Sequence, residues 1–274
     1  MAPTSVSPAF DKVGYWSPNT SSIDWCENNY TVSYYIAEFW NSTSSLIIVA
    51  IGLAGYLNLP SYKDRRMTLF MQAFMTIGLG SVLFHGTLRG GGDELPMLYS
   101  ATIGMFICIE THFGKQGRWF PIAIAIWLVM TTIIFSTTSG TLQSLSFQTN
   151  YICMVLGGFY FLCRFHTTRR TMRPNPTVSR VIRFTLTSLV AAATVWLIDY
   201  NLCVYINGVS PESVLRWNPQ FHAWWHFLSA YGVYSQSVLI MYYHYDIREM
   251  KPEIVMWKGV LPTVTLKPIG KKVD

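Results

Sequence analysis

His85, His222 and His226 lie inside or at the mouth of uncharged apolar stretches, each at the same end of its stretch. A histidine in an apolar run of membrane length is costly to keep and marks a functional position by default. His222 and His226 are four residues apart, which on a helix puts them on one face a turn apart; Ser81 and His85 repeat that spacing in another stretch. Asp93 and Asp199 fall at the same ends of their own stretches, so five chemically capable side chains share one depth. Three neutral imidazoles with a fourth position open are the donor set of catalytic zinc, which ionises a bound water near neutral pH and polarises a carbonyl. Asp93 is placed to move a proton, and Ser81 to donate a hydrogen bond to an oxyanion. Each also has a plainer reading: Ser81 as a small residue at a helix contact, and Asp93 as the N-cap of Asp93-Glu94-Leu95-Pro96.

The elements that position these residues are membrane-length. Charged residues make up 12% of the 274 residues, about half the roughly 25% of a soluble domain. Aromatic residues reach 15%, including 10 Trp and 16 Tyr, a supply suited to interfacial belts. Seven apolar runs near 20 residues are expected as helices: 39–59, 67–88, 95–111, 119–138, 145–163, 184–206 and 221–243. They are too long for strands and do not alternate. The expectation is therefore an all-α seven-transmembrane-helix bundle of 39–243, preceded by a segment of 1–38 and followed by a tail of 244–274.

With the N-terminus outside, every basic residue except Lys12, Arg89 and Arg216 falls on the inner side. That bias predicts a luminal N-terminus and a cytosolic C-terminus. It also accounts for the net charge of +6 without any nucleic acid. Residues 1–20 are polar and interrupted by Pro3, Pro8 and Pro18, so no signal peptide is expected there. Lys271 and Lys272 stand fourth and third from the end, a dilysine retrieval pattern that requires a cytosolic tail. Cys26 and Cys203 fall in outer segments, where an oxidising lumen allows them to pair. Of the N-x-[ST] triplets at Asn19, Asn29 and Asn41, Asn19 is the expected glycosylation acceptor.

Before the first run, Asp24, Trp25, Cys26, Glu27, Asn28 and Asn29, followed by Glu38, concentrate oxygen ligands. On the residues alone this reads first as a capped helix start, with a calcium site as the alternative. The D-x-[DN]-x-[DN]-G loop of an EF-hand is absent.

Several segments together resemble the alkaline ceramidases: Asp24-Trp25-Cys26-Glu27, Tyr35-Ile36-Ala37-Glu38-Phe39-Trp40-Asn41, Gly80-Ser81 with Phe84-His85, Asp93-Glu94-Leu95-Pro96-Met97, and Gln220-Phe221-His222-Ala223-Trp224-Trp225-His226. Their order and spacing match over about residues 14–245. The resemblance implies a seven-helix membrane enzyme of the endoplasmic reticulum or Golgi. Its activity would be zinc-dependent hydrolysis of the amide of ceramide, dihydroceramide or phytoceramide, drawn from the bilayer, to a sphingoid base and a fatty acid. It implies zinc on His85, His222 and His226, with Ser81 and Asp93 as catalytic neighbours. It further implies calcium on Asp24, Glu27, Asn29, Glu38 and the Trp25 carbonyl, and a luminal Cys26–Cys203 disulfide. Gly90, Gly91 and Gly92 depart from the family's longer connection and give Asp93 a flexible tether.

Among rivals, progestin- and adiponectin-receptor-like hydrolases share the Ser-x-x-x-His and His-x-x-x-His pairs, but the acidic Asp24–Glu38 segment favours a ceramidase. A transporter would place polar groups through the whole membrane depth. A receptor without catalysis would use the basic loop of 164–183 for a partner, a loop that also suffices as a topology signal.

Overall fold

The computed structural model describes residues 11–21, 24–60, 64–89, 94–172 and 175–267. Asp93, its three-glycine tether and the Lys271-Lys272 pair lie outside them. The elements are α1 (Phe39–Ser44), α2 (Leu46–Leu57), α3 (Arg65–Thr87), α4 (Glu94–Phe113), α5 (Trp119–Thr137), α6 (Gly140–Met172), α7 (Pro176–Ile206), α8 (Phe221–Ile247), β1 (Pro252–Trp257) and β2 (Leu261–Leu266). Each of the seven predicted apolar runs is helical. The first is interrupted at Ser45, and α6 and α7 continue into polar and basic sequence beyond their apolar cores.

Local chemistry sets several of the boundaries. Asp64 caps α3 by accepting from Arg66 N at 2.9 Å. Asn175 caps α7 by accepting from Thr177 N at 3.0 Å and Val178 N at 3.3 Å, with Pro176 in the first turn, where its missing N–H costs nothing. The stretch Phe39–Leu57 and helices α3, α5 and α7 are long and apolar enough to cross a membrane. On α5 the side chains of Ile122, Ile126, Val129, Met130 and Ile133 are exposed. A helix this apolar on its open face requires an apolar surrounding, so the chain is a multi-pass membrane protein.

The helices pack α7 on α8, α2 on α3 and α4 on α6. A small residue permits one of these approaches: a Cβ at Gly78 of α3 would stand 2.8 Å from Val49 N of α2. The main core joins Met67, Phe70, Met71 and Phe74 of α3 to the inner face of α8 from Ala230 to Tyr245.

The hairpin β1–β2 was not anticipated. It pairs Pro252 with Leu266 through to Trp257 with Leu261 and turns on Lys258 (φ 48) and Gly259 (φ 76), two successive left-handed residues of the kind that close hairpins tightly. Ile254, Leu261 and Val264 enter the main core, and Tyr234 donates its hydroxyl to Pro262 O at 2.9 Å.

Candidate metal centre

Helix α3 carries Ser81 and His85 on one face, and the first turns of α8 carry His222 and His226. The packing brings these faces together. Ring centroids are 5.0 Å apart for His85 and His222, 5.1 Å for His85 and His226, and 4.8 Å for His222 and His226. One nitrogen from each ring lies within 4.8 Å of the others, and all three side chains are buried. Among the described residues, no other set of three His, Cys, Asp or Glu ligand atoms is comparably close.

The surroundings of each ring differ. His85 Nδ1 meets Glu38 Oε2 at 2.5 Å. His226 Nδ1 meets Ser44 Oγ at 2.7 Å and Ser45 Oγ at 3.4 Å. Ser81 Oγ lies 2.9 Å from Ser45 Oγ and 3.4 Å from His226 Nε2. Neither ring nitrogen of His222 has a hydrogen-bond partner. Buried polar atoms are almost always bonded, so a convergent trio that includes an orphaned imidazole fits a cation of nitrogen preference.

The oxygen-rich segment lies directly above. Glu27 accepts from Trp40 N and Asn41 N, both at 2.8 Å, so it caps α1, which was the plainer of the two readings for this stretch. Glu38 accepts from Trp25 N at 3.3 Å and Asn41 Nδ2 at 3.1 Å. Asn29 Nδ2 donates to Asp24 Oδ1 at 3.2 Å and to Asp11 Oδ2 at 2.9 Å. Asn29 Oδ1 is a buried acceptor with no donor. Burial first, and the neighbouring Glu38 charge second, push Asp24 up to about 7 and Glu27 up to about 8. Burial likewise pushes Glu38 up to about 8. A hard cation would relieve the mutual repulsion of these acids; their oxygens do not converge as closely as the three imidazole nitrogens do.

Asp199 belongs to neither set. Its carboxylate accepts from His222 N and Cys26 N, both at 3.2 Å, so it caps the start of α8 and ties the N-terminal segment to it. One turn further along α7, Cys203 is disulfide-bonded to Cys26.

Sequence reasoning missed Ser44, Ser45 and Asp11. The serines stand at the end of α1 and the break that follows it, against His226, and Asp11 sits 18 residues from the asparagine it holds. An apolar cavity between α2, α3, α4, α6 and α8 is lined along α8 from Trp225 to Ile240 and includes none of the three histidines in its wall. Along α8 that is about 22 Å at 1.5 Å per residue.

A protein-family model described as Ceramidase matches residues 17–265. The chain is 28% identical over 277 residues to alkaline ceramidase 3 of Mus musculus, covering 97% of this chain and 100% of that protein. It is 25% identical over 261 residues to the alkaline ceramidase of Arabidopsis thaliana, covering 92% and 95%. It is 27% identical over 289 residues to alkaline ceramidase YPC1 of Saccharomyces cerevisiae, covering 91% and 88%.

Proposed function

The chain belongs to the ceramidase family, and from that membership we propose that it hydrolyses the amide bond of a ceramide at the three-histidine centre, releasing a sphingoid base and a free fatty acid. The observation that carries the reading is the buried convergence of His85, His222 and His226 from two helices distant in sequence. The apolar cavity along α8, lined by Trp225 of the same helix turn as His222 and His226, supports it further.

In this reading His85, His222 and His226 hold zinc. Bound there, zinc supplies a Lewis acid for the amide carbonyl and a water ionised near neutral pH. The chain's own residues do the rest. Glu38 orients His85, and the Ser44 and Ser45 hydroxyls orient His226. Ser81, beside His226 Nε2, donates to the developing oxyanion. Asp93, the residue before Glu94 in the sequence, carries the proton from the attacking water to the leaving amine. The apolar cavity takes an alkyl chain of ceramide, dihydroceramide or phytoceramide.

Calcium on Asp24, Glu27, Asn29, Glu38 and the Trp25 carbonyl would hold the N-terminal segment over the site. The same reading gives seven spans within 39–243, segment 1–38 in the lumen, the tail of 244–274 in the cytosol, and residence in the endoplasmic reticulum or Golgi. The inner bias of basic residues supports that orientation. So does the Cys26–Cys203 disulfide, a bond of oxidising compartments.

The test is purified His222→Ala against a ceramide panel, with released lipids identified and zinc measured. Loss of both hydrolysis and zinc in a protein that still inserts is the expected result. Normal hydrolysis by that variant would refute the site.

A further inference from the structure

His222 is held differently from its two partners. His85 and His226 each have an oxygen on Nδ1, whereas both ring nitrogens of His222 are without one. Its ring is stacked instead on two indoles. Trp25 lies 3.9 Å away at an interplanar angle of 26°, and Trp225 lies 5.0 Å away at 29°. Two rings so close and so nearly parallel to one imidazole would overlap each other on a single face. They therefore occupy opposite faces, and His222 is sandwiched.

The two indoles reach the ring by separate routes. Trp225 stands three residues after His222, on the same side of α8. Trp25 comes from the N-terminal segment, and its place is fixed by its neighbour. Cys26 N donates to Asp199, which also accepts from His222 N. Cys26 Sγ is bonded to Cys203, and Cys26 O accepts from Asn218 Nδ2 at 2.6 Å. Trp25 is itself packed against Trp196 and Tyr200 of α7. The backbone on both sides of the stack is thus pinned to one carboxylate.

Resting on the zinc reading above, we infer that Trp25 and Trp225 are positioning residues, whose indoles fix the His222 ring for metal binding in place of a hydrogen-bond acceptor. A metal-ligand histidine is ordinarily oriented by a carboxylate or carbonyl on its second nitrogen, which also raises its basicity. An aromatic sandwich prevents the ring from swinging out of plane and adds no negative charge. One ligand of the three is then held firmly without blunting the cation's pull on a substrate carbonyl. Because Trp25 shares its segment with Asp24 and Glu27, the sandwich also ties the geometry of His222 to the carboxylate cluster.

The experiment uses the full chain, purified in detergent, with zinc removed and re-titrated against a competing chelator. Trp25→Leu and Trp225→Leu should each weaken zinc binding roughly tenfold or more, the loss seen when an outer-shell partner is removed. Trp25→Phe, which keeps a stacking ring, should remain close to the unaltered protein. Cobalt(II) in place of zinc gives a visible spectrum that reports ligand geometry, and it should change in the leucine variants alone. An intact Cys26–Cys203 bond and an unchanged melting temperature confirm folding, and Trp225→Leu carries the test should Trp25→Leu fail to fold. Unaltered zinc affinity in both leucine variants overturns the inference. Equal weakening by Phe and Leu at position 25 overturns it too, since volume rather than stacking would then be the cause. Full zinc affinity in His222→Ala would bring down the zinc reading itself, a result distinguishable from either.

Discussion

Glu38 Oε2 and His85 Nδ1 lie 2.5 Å apart, both side chains buried. This contact joins two groups that are separate in sequence: Glu38 closes the carboxylate cluster at the mouth of α1, and His85 is one of the three convergent imidazoles at the end of α3. The same carboxylate takes Trp25 N and Asn41 Nδ2, so one residue touches both the outer segment and a ring of the histidine site.

Glu38→Gln is therefore expected to act at both sites. The amide keeps the shape of the side chain but removes the charge and half of the acceptor capacity. Calcium should no longer raise the melting temperature, and zinc affinity should fall by about 10- to 100-fold. Thermal melts with and without calcium, alongside zinc titration, separate the two effects. A variant that loses only the calcium response would show that Glu38 does not orient His85.

The pH dependence of calcium binding follows from the direction of the carboxylate shifts. Asp24 rises from 3.8 to about 7, and Glu27 and Glu38 rise from 4.5 to about 8. These folded-state values lie above the unfolded ones, so the cation-free fold holds extra protons. Its stability is fullest below about pH 4 and falls as pH rises through 7 to 8. Calcium binds only the ionised carboxylates, so its stabilisation should grow over that window. Melting-temperature shifts in saturating calcium should be larger at pH 9 than at pH 6. Equal shifts at the two pH values would argue against cation binding by this cluster.

Orientation has its own readout. Asn29 and Asn41 are buried at 3% and 0% exposure, while Asn19 is exposed. If segment 1–38 is luminal, Asn19 is the acceptor the fold leaves open. Expression in microsomes should give one endoglycosidase-sensitive shift, abolished by Asn19→Gln. An unshifted native chain would count against a luminal N-terminus.

The legibility of this chain was uneven, for physical reasons. Membrane-length apolar runs have no competing structure, and all of them are helical. The His-x-x-x-His spacing and the shared depth of His85 were enough to anticipate that the three rings meet. What escaped depended on contacts across the fold. Asp199 has the residue type and depth of a metal ligand, yet its oxygens are spent on two backbone N–H groups. The side chain of Trp25 has no periodicity to mark its stack on His222. The hairpin at the C-terminal end is built from two short segments, the unbroken apolar run Ile254-Val255-Met256-Trp257 and the alternating Pro262-Thr263-Val264-Thr265, too short to stand out in a region of mixed charge that reads as tail.

That hairpin yields a final prediction, because it is packed as core. Val264 is 2% exposed and Ile254 8%, both within the cluster that holds Met67, Met71 and Tyr234. The Tyr234 hydroxyl, midway along α8, reaches Pro262 O at 2.9 Å, so the hairpin penetrates the bundle from the end opposite the histidines. Tyr234→Phe should cost roughly 1 kcal/mol by removing one buried hydrogen bond. Val264→Asp buries an unpaired carboxylate and should cost on the order of 3 kcal/mol or more. Melting of the detergent-purified variants reads both. An appendage lying outside the cooperative unit would leave the melting temperature unchanged in either variant, whereas a graded loss, larger for Val264→Asp, makes 252–266 part of the bundle's own core.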